Sequence, residues 1–379
     1  MSAYGESPVQ QIRRRFRKNK AAMAGLYFIL LSFFIAVFAY LIIPDNTPLA
    51  NRMNLSISNQ FPGFKVQMLK VPKSYVEKTD LLQRIFFGRK DAFDYIPISS
   101  FHINENYFYY REFTGDADSL SVPENKIYIN VFSETGFQAE QGFLKENIIQ
   151  QNFFFGTDRY GRDMLSRLMA GTRVTLIVGL VAVIISLITG LFFGSIAGFF
   201  RGRVDNIIVW LINVVWSIPT LLLVITITLV LGKGFEQVFI AVGLTMWVDV
   251  ARIVRGQLFS VRELEYVSAG KAMGFRNLRI ICLHMLPNVI GPVLVVAASN
   301  FSTAILLEAG LSFLGIGAQP PTPSWGAMIK ENYGYIIIPG SAYLAILPGL
   351  AIMLLTMAFT FVANGMRDAI DSKTQVAIV

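Results

Sequence analysis

The chain has 379 residues, of which 54% are apolar and only 15% are charged, and its formal net charge is +8. This apolar excess is typical of a polytopic membrane protein and argues against a soluble enzyme. The one cysteine excludes an intrachain disulfide and a cysteine-based metal site, and two histidines give little basis for histidine chemistry. We therefore expect no bound metal or cofactor. Because the basic residues flank apolar runs and do not line one face, we also expect no nucleic-acid partner.

The first apolar run covers about residues 21–43 and follows six basic side chains between Arg13 and Lys20. At 1.5 Å per residue it can cross a hydrocarbon core of roughly 30 Å, whereas the apolar part of a secretory signal is much shorter. The run therefore predicts an uncleaved transmembrane helix in contact with membrane lipid. Residues 1–20 form the basic N-terminus, which we place in the cytoplasm because positive charge accumulates there.

Residues 44–151 are more polar and lack membrane-length apolar runs. Segments such as 106–110 and 126–132 alternate in the manner of strands. A disordered loop is the alternative, and the many Phe and Tyr side chains disfavour it. The sequence therefore predicts a strand-containing extracytoplasmic insertion between helices 1 and 2, large enough for a small domain.

Five further runs are long enough to cross a membrane: about 174–199, 207–231, 237–256, 288–315 and 342–363. The run at 237–256 carries Asp249, and a helix lying in the interface is its alternative. With six spans and both termini inside, the basic clusters fall in the cytoplasm and the short outer loops keep only Lys233 and Lys330, as the positive-inside rule requires. The sequence thus predicts an all-α polytopic protein with five spans in a core at 152–366 and a cytoplasmic tail at 367–379.

Small residues recur every four positions in the run at 174–199 and share one helix face: Ser186, Gly190, Gly194 and Gly198. Small side chains let two membrane helices approach closely. We expect this helix-packing face to contact another helix of the same chain, and a contact with another subunit is the alternative.

Pro219 and Pro348 lie inside apolar runs, where a proline removes a backbone hydrogen bond and kinks a helix. Such kinks occur in proteins that change shape and also in static bundles. Glu308 is a carboxylate well inside an apolar run, where an ionisable residue is a functional candidate by default. Because it lies roughly 30 Å along a helix from Pro287, near the outer interface, we expect a structural anchor and not a substrate contact.

A segment between the runs at 237–256 and 288–315 is rich in small residues and, by the charge pattern, faces the cytoplasm. Its residues are Tyr266, Val267, Ser268, Ala269, Gly270, Lys271, Ala272, Met273 and Gly274, and the next run is preceded by Leu286 and Pro287. A helix with small side chains can lie very close to a partner, so we expect it to transmit force to a soluble protein. The chain has no G-x-x-x-x-G-K-[ST], H-E-x-x-H or G-x-S-x-G motif. We therefore expect that this chain is not an enzyme and does not hydrolyse ATP itself.

Several motifs stand in the order found in a known family, over the first 45 residues and from about 155 to the end. They are RKNKA at 17–21, FGTDRYGRDMLSR at 155–167, SAG at 268–270 with Gly274 and LP at 286–287, LEAGLSFLG at 307–315 with PSWG at 323–326, and GMRDAID at 365–371. In these motifs the chain resembles the inner-membrane permease subunits of binding-protein-dependent ABC importers. The specific resemblance is to the second, C-type permease of the dipeptide, oligopeptide and nickel group.

The resemblance implies a type I ABC importer permease fold with six transmembrane helices in the bacterial cytoplasmic (inner) membrane. It implies that 266–274 is a coupling helix in a loop at about 259–287, seated in a groove of a cytoplasmic ATPase. Residues 155–167 are expected to form an outer gating or interface helix, with ordinary surface charges as the alternative for its Arg and Asp side chains. The chain would form half of a translocation pore that its third to fifth spans line.

The implied partners are a second homologous permease, two cytoplasmic ABC ATPases that use ATP, and an extracytoplasmic substrate-binding protein. The second permease is either a different chain or a copy of this one. Two features depart from the family pattern: Ser268, Gly270 and His284 replace Glu, Ala and an aliphatic residue, and the insertion at 44–151 is longer than usual.

Peptide import is the expected function, and nickel or another small solute is the alternative cargo. A secondary transporter would usually show inverted repeats or several intramembrane charges, which the sequence does not show. A membrane-anchored sensor that works through its insertion is the remaining rival class.

Overall fold

The computed structural model describes residues 8–73, 79–104, 106–115, 122–132, 144, 146–232 and 234–371. Residues 1–7 and 372–379, parts of the predicted cytoplasmic N-terminus and tail, lie outside the described chain, as does Lys233 of an outer loop. The described chain is predominantly helical, and a five-stranded sheet lies between its first two membrane-length helices.

The helices are, in chain order, α1 (Pro8–Lys18), α2 (Lys20–Ile42), α3 (Leu81–Phe87), α4 (Met164–Phe200), α5 (Gly202–Trp216), α6 (Thr220–Leu231), α7 (Phe235–Arg262), α8 (Glu265–Ala272), α9 (Leu286–Leu314), α10 (Trp325–Asn332) and α11 (Tyr343–Ile370). The strands are β1 (Phe64–Pro72), β2 (Phe93–Asn104), β3 (Tyr107–Glu112), β4 (Asn125–Tyr128) and β5 (Ile148–Phe153). A single turn, Asn277–Arg279, and a π-helical turn, Ile280–Met285, lead into α9.

Five helices are long and apolar enough to cross a membrane: α2, α4, α7, the helix Asn277–Leu314 that includes α9, and α11. The helices α5 and α6 meet the same criterion only as a pair, and their axes differ by 92°. The predicted single kinked span at 207–231 is therefore corrected to two helices, which give six spans only if the bent pair crosses the membrane as one.

The break between α5 and α6 falls at residues 217–219 and has a local cause. Pro219 has no N–H to donate, and its ring disfavours helical geometry at the residue before it. The two residues that follow α5 close its end: the Ser217 N–H donates to the Asn213 carbonyl at 2.9 Å and the Ile218 N–H to the Val215 carbonyl at 3.3 Å. A new helix then starts at Thr220.

The small-residue face of α4 packs directly against α7 of the same chain. A methyl group on Gly190 would lie 2.5 Å from Cβ of Val250, and one on Gly194 would lie 2.6 Å from the carbonyl oxygen of Ala251. The other two members of the face are also buried: Ser186 and Gly198. Glycine at these positions thus sets the distance between the two helices.

The sheet has the strand order β4-β3-β2-β1-β5, and each neighbouring pair is antiparallel. Side chains on its two faces form two apolar clusters, because alternate residues of a strand point in opposite directions. One cluster contains Leu69, Phe108 and Tyr110, and the other contains Met68 and Phe153. The predicted strand-containing insertion is therefore present, and β5 ends shortly before α4 begins.

Candidate functional site

The helix α8 is fixed to the helical bundle on one side and open on the other. Val267 and Gly270 are buried, and Val267 packs in a cluster with Phe199 of α4 and Ile280. The opposite side consists of small, exposed residues together with Met273: Ser268, Ala269 and Ala272. The sequence segment 266–274 therefore consists of a short helix that ends at Ala272 and the turn after it, and its small side chains face away from the rest of the chain.

The chain leaves α8 through a left-handed glycine. Gly274 has φ = +75°, a conformation that residues with a Cβ seldom adopt, and open space surrounds its Cα. The N–H of Phe275 donates to the carbonyl of Gly270 at 3.1 Å and satisfies a carbonyl at the helix end. The backbone conformation, and not a lack of space, is what requires glycine here.

Side chains on both flanks attach α8 to the neighbouring helices. The Asn288 amide of α9 donates to the hydroxyl of Tyr266 at 2.9 Å, and the Lys271 ammonium lies 5.3 Å from the ring centroid of Phe199. Partial burial, together with the positive charge of Arg262, lowers the pKa of Lys271 below its ordinary value. Of the family-motif residues in the first turn of α9, Leu286 is half-buried and Pro287 is exposed.

The three departures from the family motif are all accommodated in this loop. A methyl group on Gly270 would lie 3.5 Å from Phe275 and 3.9 Å from Ile280, which are ordinary contact distances. Ser268 is exposed and contributes to the outward surface. The His284 ring stacks on Phe275, with the ring centroids 5.9 Å apart and the planes 10° apart. Replacing the aliphatic residue by histidine thus retains a packed loop.

A cavity of about 80 Å³ lies beside the break between α5 and α6. We call this cavity the notch. Three elements meet there at the middle of their lengths: the break itself, α7 and α9. The polar, charged and aromatic residues that line the notch are Trp216, Thr220, Thr245, Asp249, Asn300 and Thr303.

The carboxylate of Asp249 is exposed half-way along α7, next to the notch. Arg252, one turn further, lies with its guanidinium 3.6 Å from the ring centroid of Trp216. A charge at this depth is strongly disfavoured against lipid tails, so this face of the chain adjoins water or another protein. The sequence marks Asp249 as an unusual charge in a span, but proximity to the break could not be read from it.

The structure of the motif at 155–167 contradicts both expectations for it, a gating or interface helix and a set of ordinary surface charges. It is not a helix over its length, because α4 begins only at Met164 with Asp163 as its N-cap, whose carboxylate accepts the Ser166 N–H at 2.9 Å. Burial raises the pKa of the Asp163 carboxyl. Ordinary surface charges are also wrong for Asp158, Arg162 and Arg167, whose side chains are only 1% exposed, whereas Arg159 is exposed.

These three side chains and Glu331 of α10 form what we call the outer ion network. The guanidinium of Arg162 lies 2.7 Å from Asp158 and 2.7 Å from Glu331, and that of Arg167 lies 3.6 Å and 3.5 Å from the same carboxylates. Arg162 also donates to the amide oxygen of Asn51 at 3.3 Å. The network joins the insertion, the start of α4 and α10.

Glu308 is buried and its contacts are structural. It accepts a hydrogen bond from the Ser312 hydroxyl at 2.7 Å, and the same hydroxyl accepts the N–H of Ala318 at 3.0 Å. The carboxylate therefore fixes the turn after α9, as expected for an anchor. Within the part of the chain that the structure describes, no three His, Cys, Asp or Glu side chains are grouped so that they could hold a metal ion.

Comparison with known proteins identifies the family. The family model described as the binding-protein-dependent transport system inner membrane component matches residues 190–376, and the N-terminal TM domain of oligopeptide transport permease C matches residues 7–62. The dipeptide transport system permease protein DppC of Bacillus subtilis is 36% identical over 243 residues, or 62% of this chain and 76% of that protein. The chain belongs to the family of binding-protein-dependent transport system inner membrane components.

Two further similarities extend the comparison. A dipeptide transport system permease protein DppC of Lactococcus lactis is 28% identical over 374 residues, which are 96% of this chain and 90% of that protein, so the alignment runs through the insertion. A solved inward-facing structure of the MetNI methionine ABC transporter has a TM-score of 0.46 at 18% identity and covers 55% of this chain and 98% of the matched chain. The predicted family is confirmed, and the chain is a multi-pass transport permease of the inner membrane.

Proposed function

We propose that this chain is a permease subunit of an ATP-driven peptide importer, that it forms half of the translocation pore, and that α8 couples it to a separate ATPase. The observation that carries the proposal is the form of α8. Apolar contacts fix this helix to α4 and to the start of α9, while its small side chains face outwards. A groove in a soluble ATPase can receive such a helix at short distance.

The proposed coupling follows from how α8 is attached. Val267 shares one apolar cluster with Val261 of α7 and Met285 just before α9, so a displacement of α8 moves both helices. Closure of two ATPases around ATP would shift α8 and switch the pore from inward to outward opening. This requires that α8 contact the ATPase differently in the two states, because a partner with equal affinity for both shifts nothing.

The notch supports a proposed course for the translocation path. It lies at mid-span on a face that carries an exposed carboxylate, and such a face cannot be covered by lipid without a large penalty. We place the path along this face, between this chain and the second permease. The break at 217–219 allows α5 and α6 to move relative to one another when the pore switches.

Peptides are the proposed cargo because the relatives are named dipeptide and oligopeptide permeases. Nickel or another small solute is the alternative. The proposed partners are a second homologous permease, two cytoplasmic ABC ATPases and an extracytoplasmic binding protein. We propose that the chain itself binds no cofactor and that the ATPases use the ATP.

The proposed topology counts the bent pair α5–α6 as the third of six spans. It places both termini in the cytoplasm, residues 44–151 outside as one insertion, and the loop at 259–287 inside. The pattern of basic residues supports this arrangement, because Arg201, Arg203 and the bases of the loop then lie on the cytoplasmic side.

The test is to tag the chain, extract it from native membranes in mild detergent and identify what copurifies. Recovery of a second permease and of ATPases with phosphate-binding loops, followed by ATP-dependent uptake of a labelled dipeptide in vesicles that also contain the binding protein, is the expected result. Recovery of the folded chain alone under several extraction conditions contradicts the proposal and favours a secondary transporter. The sensor alternative is tested by deleting residues 50–145. A pore subunit without these residues would still assemble with its ATPase, whereas a sensor would lose its function.

A further inference from the structure

The helix α3 of the insertion exposes large apolar side chains, one of which, Phe86, also has its ring centroid 5.4 Å from the Arg173 guanidinium of α4. The exposed fractions are 66% for Leu81, 62% for Leu82, 50% for Phe86 and 72% for Phe87. No residue of this helix is buried. The exposed Gln83 and Arg84 separate Phe87 from the other three around the helix. An exposed apolar patch of this kind is still unusual on a surface that faces water and marks contact with a partner or with a membrane.

The position of α3 in the fold decides between these environments. Arg173 of α4 donates to the carbonyl oxygens of Ile85 at 3.2 Å and Phe86 at 2.9 Å. Its guanidinium also lies 5.5 Å from the ring centroid of Tyr40, near the end of α2. The short helix is thus held against the ends of the first two spans, on the side where the insertion begins.

The depth of this contact follows from the length of α4. From Arg173 to the end of the helix at Phe200 the rise is about 40 Å at 1.5 Å per residue. A bilayer with its headgroups is about 40–45 Å thick. With Arg201 and Arg203 at the cytoplasmic surface, Arg173 and the attached α3 lie at the level of the outer headgroups.

The residues around the patch suit this level of the membrane. Arg84 lies within α3, and Arg89 and Lys90 follow it directly. Phe and Leu side chains beside basic residues are the composition of helices that lie in the membrane interface, where apolar groups enter the acyl region and cations meet phosphate groups.

We infer that α3 is an interfacial anchor, with Leu81, Leu82, Phe86 and Phe87 inserted into the outer leaflet of the lipid bilayer. The anchor holds the sheet at a fixed height beside the pore. The inference rests on the proposed topology, which puts the insertion outside, and is independent of the cargo.

The chain has a single cysteine, so Cys282→Ser provides a background for one nitroxide label at a time. We would label Leu82→Cys and Phe86→Cys separately in the transporter copurified with its partners and reconstituted into phosphatidylethanolamine–phosphatidylglycerol vesicles. Power-saturation electron paramagnetic resonance then compares collisions with oxygen, which enters lipid, and with nickel ethylenediaminediacetate, which stays in water. The matched control is Lys126→Cys on β4, the edge strand furthest from β5.

The expected result is a ratio of oxygen to nickel collisions that is several-fold higher at positions 82 and 86 than at 126. A ratio equal to that of the control shows that α3 faces water and overturns the inference. Low collision rates with both reagents at 82 and 86 show that a protein covers the helix, and this overturns it too. Dipeptide uptake is measured in the same vesicles, so a failure of the proposed function is seen separately from a failure of the anchor.

Discussion

Ala269 lies on the outward surface of α8, where a closely apposed partner would meet its methyl group, whereas its neighbour Gly270 faces the bundle. We expect Ala269→Arg to abolish ATP-dependent uptake, because a long charged side chain prevents the helix from entering a groove. Gly270→Ala is the matched control, since a methyl group there meets Phe275 and Ile280 at ordinary distances.

The measurement is uptake per amount of reconstituted protein, with insertion checked by extraction from membranes at equal expression. Unchanged uptake in Ala269→Arg would rule out α8 as the coupling helix. If Gly270→Ala were as damaging as Ala269→Arg, the loss would reflect folding of the loop and not contact with the ATPase.

Asp249 is the residue at which the proposed path can be tested most directly. A carboxylate on the path attracts the ammonium group of a peptide, and a hydrogen bond to a charged group contributes about 1.5–3 kcal/mol. We therefore expect Asp249→Asn to lower uptake of a dipeptide with a free amino group by roughly tenfold or more, with a much smaller effect on its N-acetylated form. Competition between the two peptides in vesicles measures this.

The control for Asp249 is Glu236→Gln, which removes an exposed carboxylate from the first turn of the same helix. We expect this variant to transport both peptides as the unmodified chain does. Equal losses for free and acetylated peptide in Asp249→Asn would show that the carboxylate has a structural role or contacts the second permease.

The contact between α4 and α7 is the element-scale feature with the clearest stability test. A methyl group at Gly194 would meet the Ala251 carbonyl oxygen at 2.6 Å, and overpacking of this kind costs about 1–3 kcal/mol. Gly194→Ala should therefore lower the thermal unfolding midpoint of the purified protein in detergent. Gly256→Ala on α7 is the control, because open space surrounds Gly256 and alanine is the better helix former by about 0.5–1 kcal/mol. A higher midpoint in Gly194→Ala would show that the helices are not in direct contact there.

The spans themselves were predictable because length and apolarity alone determine whether a helix can cross a membrane. The form of the third span is not predictable in this way, because Pro219 predicts a break in the helix but does not determine the angle between its two halves. The angle depends on what each half packs against: Ile208 and Ile212 of α5 lie with Trp247 and Ala251, and Val224 of α6 lies with other residues of α7. Such distant contacts leave no periodic signal in the sequence.

At the scale of the whole molecule, the outer ion network connects segments that are far apart in sequence. Arg162 and Glu331 belong to different motifs, and the sequence shows each only as a charge near an apolar run. Local patterns could not reveal that these charges are buried together, so surface exposure remained an open alternative. The small-residue segment at 266–274 differs, because its composition alone predicts a surface of small side chains, and close contact with a partner stays a prediction.

The network makes one further prediction about how the outer side is held together. Glu331→Gln leaves the buried guanidinium groups of Arg162 and Arg167 with Asp158 as the only carboxylate of the network, and removing a partner from a buried ion pair costs about 3–5 kcal/mol. We expect a markedly lower thermal unfolding midpoint. Asp94→Asn is the control, because the pair Lys73–Asp94 on the sheet is exposed and such pairs contribute about 0–1 kcal/mol.

Equal midpoints for the two variants would show that the outer charges do not hold the fold together. A selective loss in Glu331→Gln would mean that the buried ion pairs hold the insertion, the start of α4 and α10 together as one body. The opening and closing of the pore would then have to come from elements outside that body. We propose that such a movement takes place at the break at 217–219 and at the attachment of α8 to α7 and α9.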